Sequence, residues 1–261
     1  MSLVHVVVGT PLEGPARNAV RLSRRWRGQP ETGQSAADER YDALTLDIAR
    51  RVMGPTSCSV DIGAHWGDIL KHLVEIAPEG RHFAFEPIPF LAKRLRRRFP
   101  RVDVRQVALS ESEGEAEFRM VEESAAESSL FRRSDREAGR HVSVLQVRVS
   151  SLDAELGADV RPAFVKLDVE GAEKLVFAGA RRVLAEARPV VVFECASRAL
   201  PEFAFLEELG YRVGFLDDFL RGRCDRSFDE TCRIASERGE YYFVAYPEIA
   251  IKPGGSRAHG S

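Results

Sequence analysis

Acidic side chains stand at the ends of four apolar runs that are short enough to be strands. These side chains are Asp61, Glu86, Asp168 and Glu194, which end or follow the runs 57–62, 82–85, 163–167 and 189–193. In an open sheet of parallel strands, such ends meet at one edge, where ligands bind. Carboxylates are costly to bury unless they bind something. The pattern therefore predicts a cleft for a ligand that is cationic or rich in hydroxyl groups.

The first of these acids belongs to the stretch Val60-Asp61-Ile62-Gly63-Ala64-His65-Trp66-Gly67-Asp68. A strand leads into it, and apolar residues at helical spacing follow it. Glycines in such a turn let the backbone approach a ligand, and the helix start offers free N–H donors. The pattern is D-x-G-x-x-x-G rather than the G-x-G-x-x-G of dinucleotide folds. Because Asp61 would repel a pyrophosphate, the turn favours a ligand with an amine or a hydroxyl group.

Glu86 follows the second strand, where an acid is well placed to accept hydrogen bonds from both hydroxyls of a ribose. Asp61 beside an amine and Glu86 on a ribose together describe an adenosyl cofactor with an amino-acid end. S-adenosylmethionine has this composition, and its sulfonium and ammonium groups favour nearby carboxylates.

Alternating strands and helices must position these residues. Between residues 57 and 107 the order is strand, helix, strand, helix, strand, which predicts a parallel, doubly wound sheet. Two more alternating segments, 115–121 and 142–149, read as added strands, and the polar stretch 122–140 between them as a loop or lid.

The end of the chain predicts two further strands, 211–216 and 240–246, which could form an antiparallel pair. The long, charged segment 217–238 between them is predicted to be a loop. Residues 1–40 are interpreted as an N-terminal extension that covers the site or serves a dimer contact. Residues 41–250 form the predicted catalytic domain, and 251–261 a disordered tail.

Composition excludes several classes of function. The chain has 261 residues, 44% hydrophobic content and a net charge of −2, so nothing demands a nucleic acid or an anionic membrane. Its four cysteines and six histidines show no zinc spacing, and we predict no metal. No stretch has the length of a transmembrane helix or the basic start of a signal peptide. We expect a cytoplasmic protein.

Four motifs resemble the FkbM-type family of S-adenosylmethionine-dependent methyltransferases in order and spacing, over roughly residues 55 to 215. They are Val60-Asp61-Ile62-Gly63-Ala64, Phe83-Ala84-Phe85-Glu86-Pro87, Val107-Ala108-Leu109-Ser110 and Val165-Lys166-Leu167-Asp168-Val169-Glu170-Gly171-Ala172-Glu173. The resemblance implies the class I methyltransferase fold: a Rossmann-like α/β, doubly wound, mostly parallel sheet with an antiparallel last strand and helices on both faces. It implies methyl transfer, usually to a hydroxyl of a small molecule, natural product or sugar.

The resemblance also implies roles for single residues. Asp61, Gly63 and Ala64 would hold the methionine end of the cofactor, and Glu86 its ribose. The adenine would lie along Gln106, Val107 and Ala108, and Asp168 would face the methionine amine or the methyl group. The predicted cofactor site is completed by His65, Trp66 and Pro87. The chain departs from the family pattern at His65-Trp66 and at Gln106, where an asparagine is usual in each motif.

The general base is predicted to be one of His65, Asp168 and Glu170. A histidine titrates near neutral pH, whereas Glu170 could instead cap the following helix. Two other functions stay open: a nonenzymatic partner protein that binds the cofactor, and a nicotinamide-dependent oxidoreductase on a similar sheet. A nucleic-acid methyltransferase is disfavoured, since no Asn/Asp-Pro-Pro-aromatic segment is present to hold a flipped base.

Overall fold

The computed structural model describes residues 33–121, 142–169, 171–195, 201–223 and 226–247. The strands are β1 (Cys58–Ile62), β2 (His82–Phe85), β3 (Asp103–Arg105), β4 (Ala108–Leu109), β5 (Gly114–Val121), β6 (Val142–Ser150), β7 (Pro162–Leu167), β8 (Val190–Glu194), β9 (Tyr211–Gly214) and β10 (Tyr242–Pro247). The helices are α1 (Gly33–Val52), α2 (Asp68–Ile76), α3 (Pro89–Arg98), α4 (Leu152–Glu155), α5 (Glu173–Ala178), α6 (Arg181–Glu186), α7 (Pro201–Glu208), α8 (Leu216–Leu220) and α9 (Phe228–Arg238).

The main sheet has the strand order β3-β2-β1-β7-β8-β10-β9 in the described part of the chain. The pairs from β3 to β8 are all parallel, whereas β10 runs antiparallel to both β8 and β9. Every residue of β2 and β8 is buried, as expected for strands whose two faces are both covered. The α/β class I methyltransferase architecture, with its antiparallel last strand, is therefore confirmed.

A second, smaller sheet has the order β4-β6-β5. Its long antiparallel pair, β5 and β6, keeps one register from Gly114↔Val149 to Val121↔Val142. An apolar cluster joins this sheet to the main fold, and its buried members are Trp66, Ile88, Leu91, Ala108, Phe118, Val147 and Val149. The two added strands predicted from the sequence are thus confirmed, and they pack against the turn that follows β1.

The segment 217–238 was wrongly predicted as a loop, because it contains most of α8 and all of α9. Ser227 caps α9 by accepting a hydrogen bond from the Glu230 backbone N–H, and Gly239 ends the helix with a φ of 67°. The sequence carried this signal as a serine followed three residues later by a glutamate, with a glycine after the last turn. The dense charge of the segment concealed the apolar face that buries Ile234 and Ala235.

The chain divides into two compact units, residues 1–43 and 44–261. The structure describes only residues 33–43 of the first unit, and α1 crosses the predicted boundary at residue 40. The proposed lid at 122–140 and the tail at 251–261 lie outside the described residues, so both stay predictions. None of the described helices combines the length and the apolar character that crossing a membrane requires.

Candidate cofactor site

The four strand-end acids predicted from the sequence belong to four adjacent parallel strands, β2, β1, β7 and β8. In the register between β1 and β7, Asp61 lies opposite Lys166, and the Asp168 N–H donates to the Ile62 carbonyl at 3.1 Å. Glu86 follows β2 directly, and Glu194 is the last residue of β8. The sheet therefore brings all four acids to its carboxyl edge, as predicted.

The turn after β1 is held by the end of β2. The N–H groups of Gly63 and Ala64 both donate to the Phe85 carbonyl, at 2.9 Å and 3.2 Å. Gly63 has a φ of 73°, and a Cβ on it would lie 1.8 Å from the Asp168 carbonyl oxygen. Only glycine fits this position, because the backbone is left-handed and touches the end of β7.

Asp61 lies at the bottom of the edge and is 1% exposed. Neither of its carboxylate oxygens accepts a hydrogen bond from the described residues, and Lys166 Nζ is 3.6 Å from Oδ1. Burial raises the pKa of Asp61, an effect that the nearby Lys166 charge opposes. A buried carboxylate with open acceptor positions fits the ammonium group of an amino-acid ligand, which would supply hydrogen bonds and positive charge.

Lys166 was not predicted as a site residue. Its Nζ donates to the Gly63 carbonyl at 2.9 Å and is 3.4 Å from Asp168 Oδ2. The residue lies inside an apolar strand, and only 8% of it is exposed. The available signal was that position itself, because lysine is almost never buried unless it is paired.

Asp168 is the acid nearest to the open side of the edge, with 27% of its side chain exposed. Its Oδ2 accepts a hydrogen bond from the Tyr242 hydroxyl at 3.1 Å. Burial alone would raise the pKa of Asp168, but the Lys166 charge and hydrogen bonds from Glu194 and Tyr242 outweigh it and lower that pKa. A hydrogen bond between two carboxyl groups needs one proton, and the lowered pKa of Asp168 favours its ionised form.

Glu86 is 3% exposed and connects the turn to the chain after β2. Its Oε2 accepts from the His65 N–H at 2.8 Å, and its Oε1 accepts from the Ile88 N–H at 2.9 Å. Burial raises the pKa of Glu86 to about 7 despite these two hydrogen bonds. Each oxygen keeps a second lone pair, so the carboxylate fits the two hydroxyls of a ribose.

His65 and Trp66 form the outer part of the turn. His65 has a φ of 49°, and its ring packs edge-on against Trp66 at a centroid distance of 5.5 Å. The Nε2 atom of His65 is shielded from solvent. Trp66 is 9% exposed, with the Arg94 guanidinium 5.2 Å from its ring centroid. These contacts place the two residues in the wall of the site.

The predicted adenine residues follow β3, whose end is joined to that of β2 by the Glu86 N–H to Arg105 carbonyl hydrogen bond of 3.1 Å. Gln106 is exposed, whereas Val107 and Ala108 are buried. Pro87 is half-buried beside Glu86. Contacts at this edge join Asp61, Gly63, Ala64, His65, Glu86 and Asp168, whereas Glu170 lies outside the described residues.

No group of three or more His, Cys, Asp or Glu side chains in the described ranges is arranged to hold a metal ion. The carboxylates of the edge instead face a lysine, a tyrosine hydroxyl and backbone N–H groups. The donor set fits the ammonium and the ribose of S-adenosylmethionine.

Comparison with known proteins gives the same result. The profile of the methyltransferase FkbM domain matches residues 61–229, which is more than half of the chain. A crystal structure of methyltransferase FkbM from Methylobacillus flagellatus is similar in fold, with a TM-score of 0.51 and 18% identity. The match covers 79% of this chain and 48% of that one, so this chain spans about half the length of that relative.

Two further solved structures show weaker likeness. A TehB-like SAM-dependent methyltransferase from Corynebacterium glutamicum has a TM-score of 0.41 and 14% identity, over 89% of this chain and 98% of that one. A segment named StiE O-MT has a TM-score of 0.44 and 12% identity, over 88% and 82%. No curated protein matches the sequence. With the family profile and the carboxylate edge in agreement, the chain belongs to the FkbM methyltransferase family and uses S-adenosylmethionine.

Proposed function

We propose that the protein transfers a methyl group to a hydroxyl of a small molecule, natural product or sugar. The observation that carries this proposal is the position of Asp168, a partly exposed carboxylate beside the buried cofactor residues Asp61 and Glu86. A hydroxyl acceptor must lose its proton as it is methylated, and a positioned carboxylate can accept that proton. An amine acceptor, by contrast, must reach the site in its neutral form.

S-adenosylmethionine supplies an activated methyl group on a sulfonium, so the protein contributes mainly orientation and proton removal. Asp61 and Glu86 lie deep in the edge and hold the amino-acid end and the ribose. Asp168 lies further out and accepts the acceptor proton. Tyr242, which donates to Asp168 Oδ2, keeps this carboxylate oriented.

Asp168 is a better candidate for the base than His65. The His65 Nε2 atom is shielded from solvent, so an acceptor in the cleft would reach it only after the ring moved. Its backbone N–H is also committed to Glu86. In this proposal His65 supports the cofactor turn and does not remove the proton.

Methylation of matched hydroxyl and amine acceptors, followed by mass spectrometry, tests the proposal. For the Asp168→Asn variant we expect kcat to fall by about 10²- to 10⁴-fold while the affinity for S-adenosylmethionine changes only a few-fold. Loss of affinity without loss of kcat would instead assign Asp168 to the methionine amine. Methylation of the amines alone would refute the hydroxyl acceptor.

The Tyr242→Phe variant is a second test, because it keeps the ring and removes only the hydrogen bond to Asp168. Without that hydrogen bond the pKa of Asp168 should rise, so the acid side of the kcat/KM profile should shift to higher pH. A His65→Gln variant should keep the wild-type profile. A profile that loses its acid side in His65→Gln would return the role of base to His65.

A further inference from the structure

Lys166 is a cation placed on a central strand of the sheet. It lies on β7, which is paired on one side with β1 and on the other with β8, and its side chain is 9% exposed. Burying an ammonium is unfavourable unless other groups replace the water that it loses. Packing alone therefore does not explain a lysine at this position.

Three contacts of Lys166 point to the cofactor edge. Its Nζ atom donates a hydrogen bond of 2.9 Å to the carbonyl of Gly63. This is the residue whose left-handed backbone forms the turn after β1. The ammonium also lies between two carboxylates, 3.6 Å from Asp61 Oδ1 and 3.4 Å from Asp168 Oδ2. It thus connects the turn, the buried acid and the outer acid.

The role of this arrangement follows from the effect of the Lys166 ammonium on the two carboxylates. Without a cation between them, two carboxylates in a poorly solvated site could not both stay ionised, and one would take up a proton. Asp61 would take it, because Asp61 is the more deeply buried acid and accepts no hydrogen bond from described residues. A protonated Asp61 would offer the ammonium of a ligand no negative charge.

We propose that Lys166 is a positioning residue of the cofactor site, whose ammonium fixes the Gly63 turn and opposes the protonation of both Asp61 and Asp168. The two carboxylates and one ammonium leave a net negative charge, which suits a cationic ligand. This role belongs to cofactor binding and does not depend on which acceptor is methylated. Failure to methylate hydroxyls would refute the proposed acceptor and leave this inference standing.

Other charged or titratable groups surround this ammonium or its carboxylate neighbours and must be considered in any experiment that varies pH. Asp61, Glu86 and Asp168 interact with the ammonium itself, whereas Asp68, His65, Glu194 and Tyr242 act on these three carboxylates. The experiment therefore compares variants at one pH instead of interpreting one pH profile.

Three substitutions separate the two contributions of Lys166. Lys166→Met removes both the charge and the donor, Lys166→Gln keeps a donor without charge, and Lys166→Arg keeps the charge. Lys71→Met is the control, since Lys71 is on α2 with its side chain 49% exposed. Binding of S-adenosylmethionine and S-adenosylhomocysteine to the whole protein is measured by calorimetry in two buffers of different ionisation enthalpy, which also gives the protons released on binding.

We expect Lys166→Met and Lys166→Gln to lose about ten-fold or more in affinity for S-adenosylmethionine. Both should release about one proton more than the wild type, because Asp61 must ionise to receive the ligand. Lys166→Arg and Lys71→Met should release as many protons as the wild type. An unchanged proton count in both neutral variants would overturn the proposal, even if their affinities fell.

Protein stability provides the second readout. Melting of each variant without ligand separates a loss of folding from a loss of binding. If Lys166→Met does not fold, the comparison of Lys166→Gln with Lys166→Arg decides, since these two differ in charge while each keeps a donor. Equal proton release by these two variants would also refute the role.

Discussion

Glu86 is a carboxyl group whose protonation is tied to ligand binding. Its pKa is raised to about 7 by burial, and its oxygens already accept the N–H groups of His65 and Ile88. The two hydroxyls of a ribose are donors and bind better to a carboxylate than to a carboxylic acid. The ligand and the proton therefore compete at this residue.

From this competition we expect the affinity for S-adenosylmethionine to rise between pH 6 and pH 8, by up to about ten-fold per pH unit below the pKa of Glu86. Calorimetry at several pH values measures the rise. The Glu86→Gln variant should bind more weakly, and its residual pH dependence reports the ligand's own amine. A wild-type slope equal to that of Glu86→Gln would contradict the prediction.

Single residues of the site were partly predictable. Asp61, Glu86 and Asp168 could be found because a strand end followed by an acid is visible in one dimension. Lys166 was marked only by its position in an apolar strand, and its role depends on pairing between β1 and β7. Tyr242 could not be found, because its role depends on the return of β10 to the edge. Whether Lys166 faces the site depends on the register of these strands, which the sequence did not show.

The turn after β1 depends on Gly63, a residue without a side chain. The turn after β1 touches the end of β7 so closely that a Cβ would lie 1.8 Å from a backbone oxygen. Gly222 has a similar φ, 69° against 73°, but no atom of the described residues beyond its chain neighbours lies within 4 Å of the position that its Cβ would take. The two glycines thus share their backbone conformation and differ in their neighbours.

This pair allows a matched prediction. Gly222→Ala should cost about 1–2 kcal/mol in free energy of unfolding, the price of a left-handed alanine. Gly63→Ala should cost roughly 4 kcal/mol or more, or prevent cooperative folding, because backbone must move as well. Urea unfolding followed by tryptophan fluorescence measures both. Equal stability of the two variants would show that the backbone at the contact with β7 can shift at little cost in free energy.

The elements themselves were mostly predictable from the sequence. Apolar runs of four to six residues with an acid at the end gave β1, β2, β7 and β8, since fully buried parallel strands have such runs. α9 was missed because charge was weighed above its Ser227 cap and its Gly239 stop. The sequence also did not predict the division into two sheets, because that division depends on the strand with which β4 pairs.

For the molecule as a whole, the cofactor edge makes stability depend on pH. The folded pKa of Glu86 lies above its ordinary value, so its contribution is fully present below about pH 4.5 and is lost as pH rises through about 7. The size of this loss is at most roughly 3 kcal/mol. The protein without ligand should therefore become less stable between pH 5 and pH 8 at this one group.

Ligand binding should reverse the loss. S-adenosylmethionine at about 100 times its Kd should stabilise the protein by about 2.7 kcal/mol, which is roughly 5–11 °C in Tm for a chain of this size. Scanning calorimetry with and without ligand should show a larger gain at pH 8 than at pH 6. In Glu86→Gln, the loss of stability without ligand between pH 5 and pH 8 should be smaller than in the wild type. If the stability of that variant fell as much as that of the wild type, the pH-dependent loss of stability would come from other groups.

The antiparallel direction of β10 has a consequence for how the protein is made. Because β10 runs against its neighbours, its first residue, Tyr242, lies beside the last residue of β8 and reaches Asp168. Among the described elements, this strand is the last to leave the ribosome. Until it is synthesised, β8 has no partner on that side, and Asp168 lacks its tyrosine. The nascent chain can thus form the Asp61 turn early, but completes its reactive edge only after β10 has been synthesised.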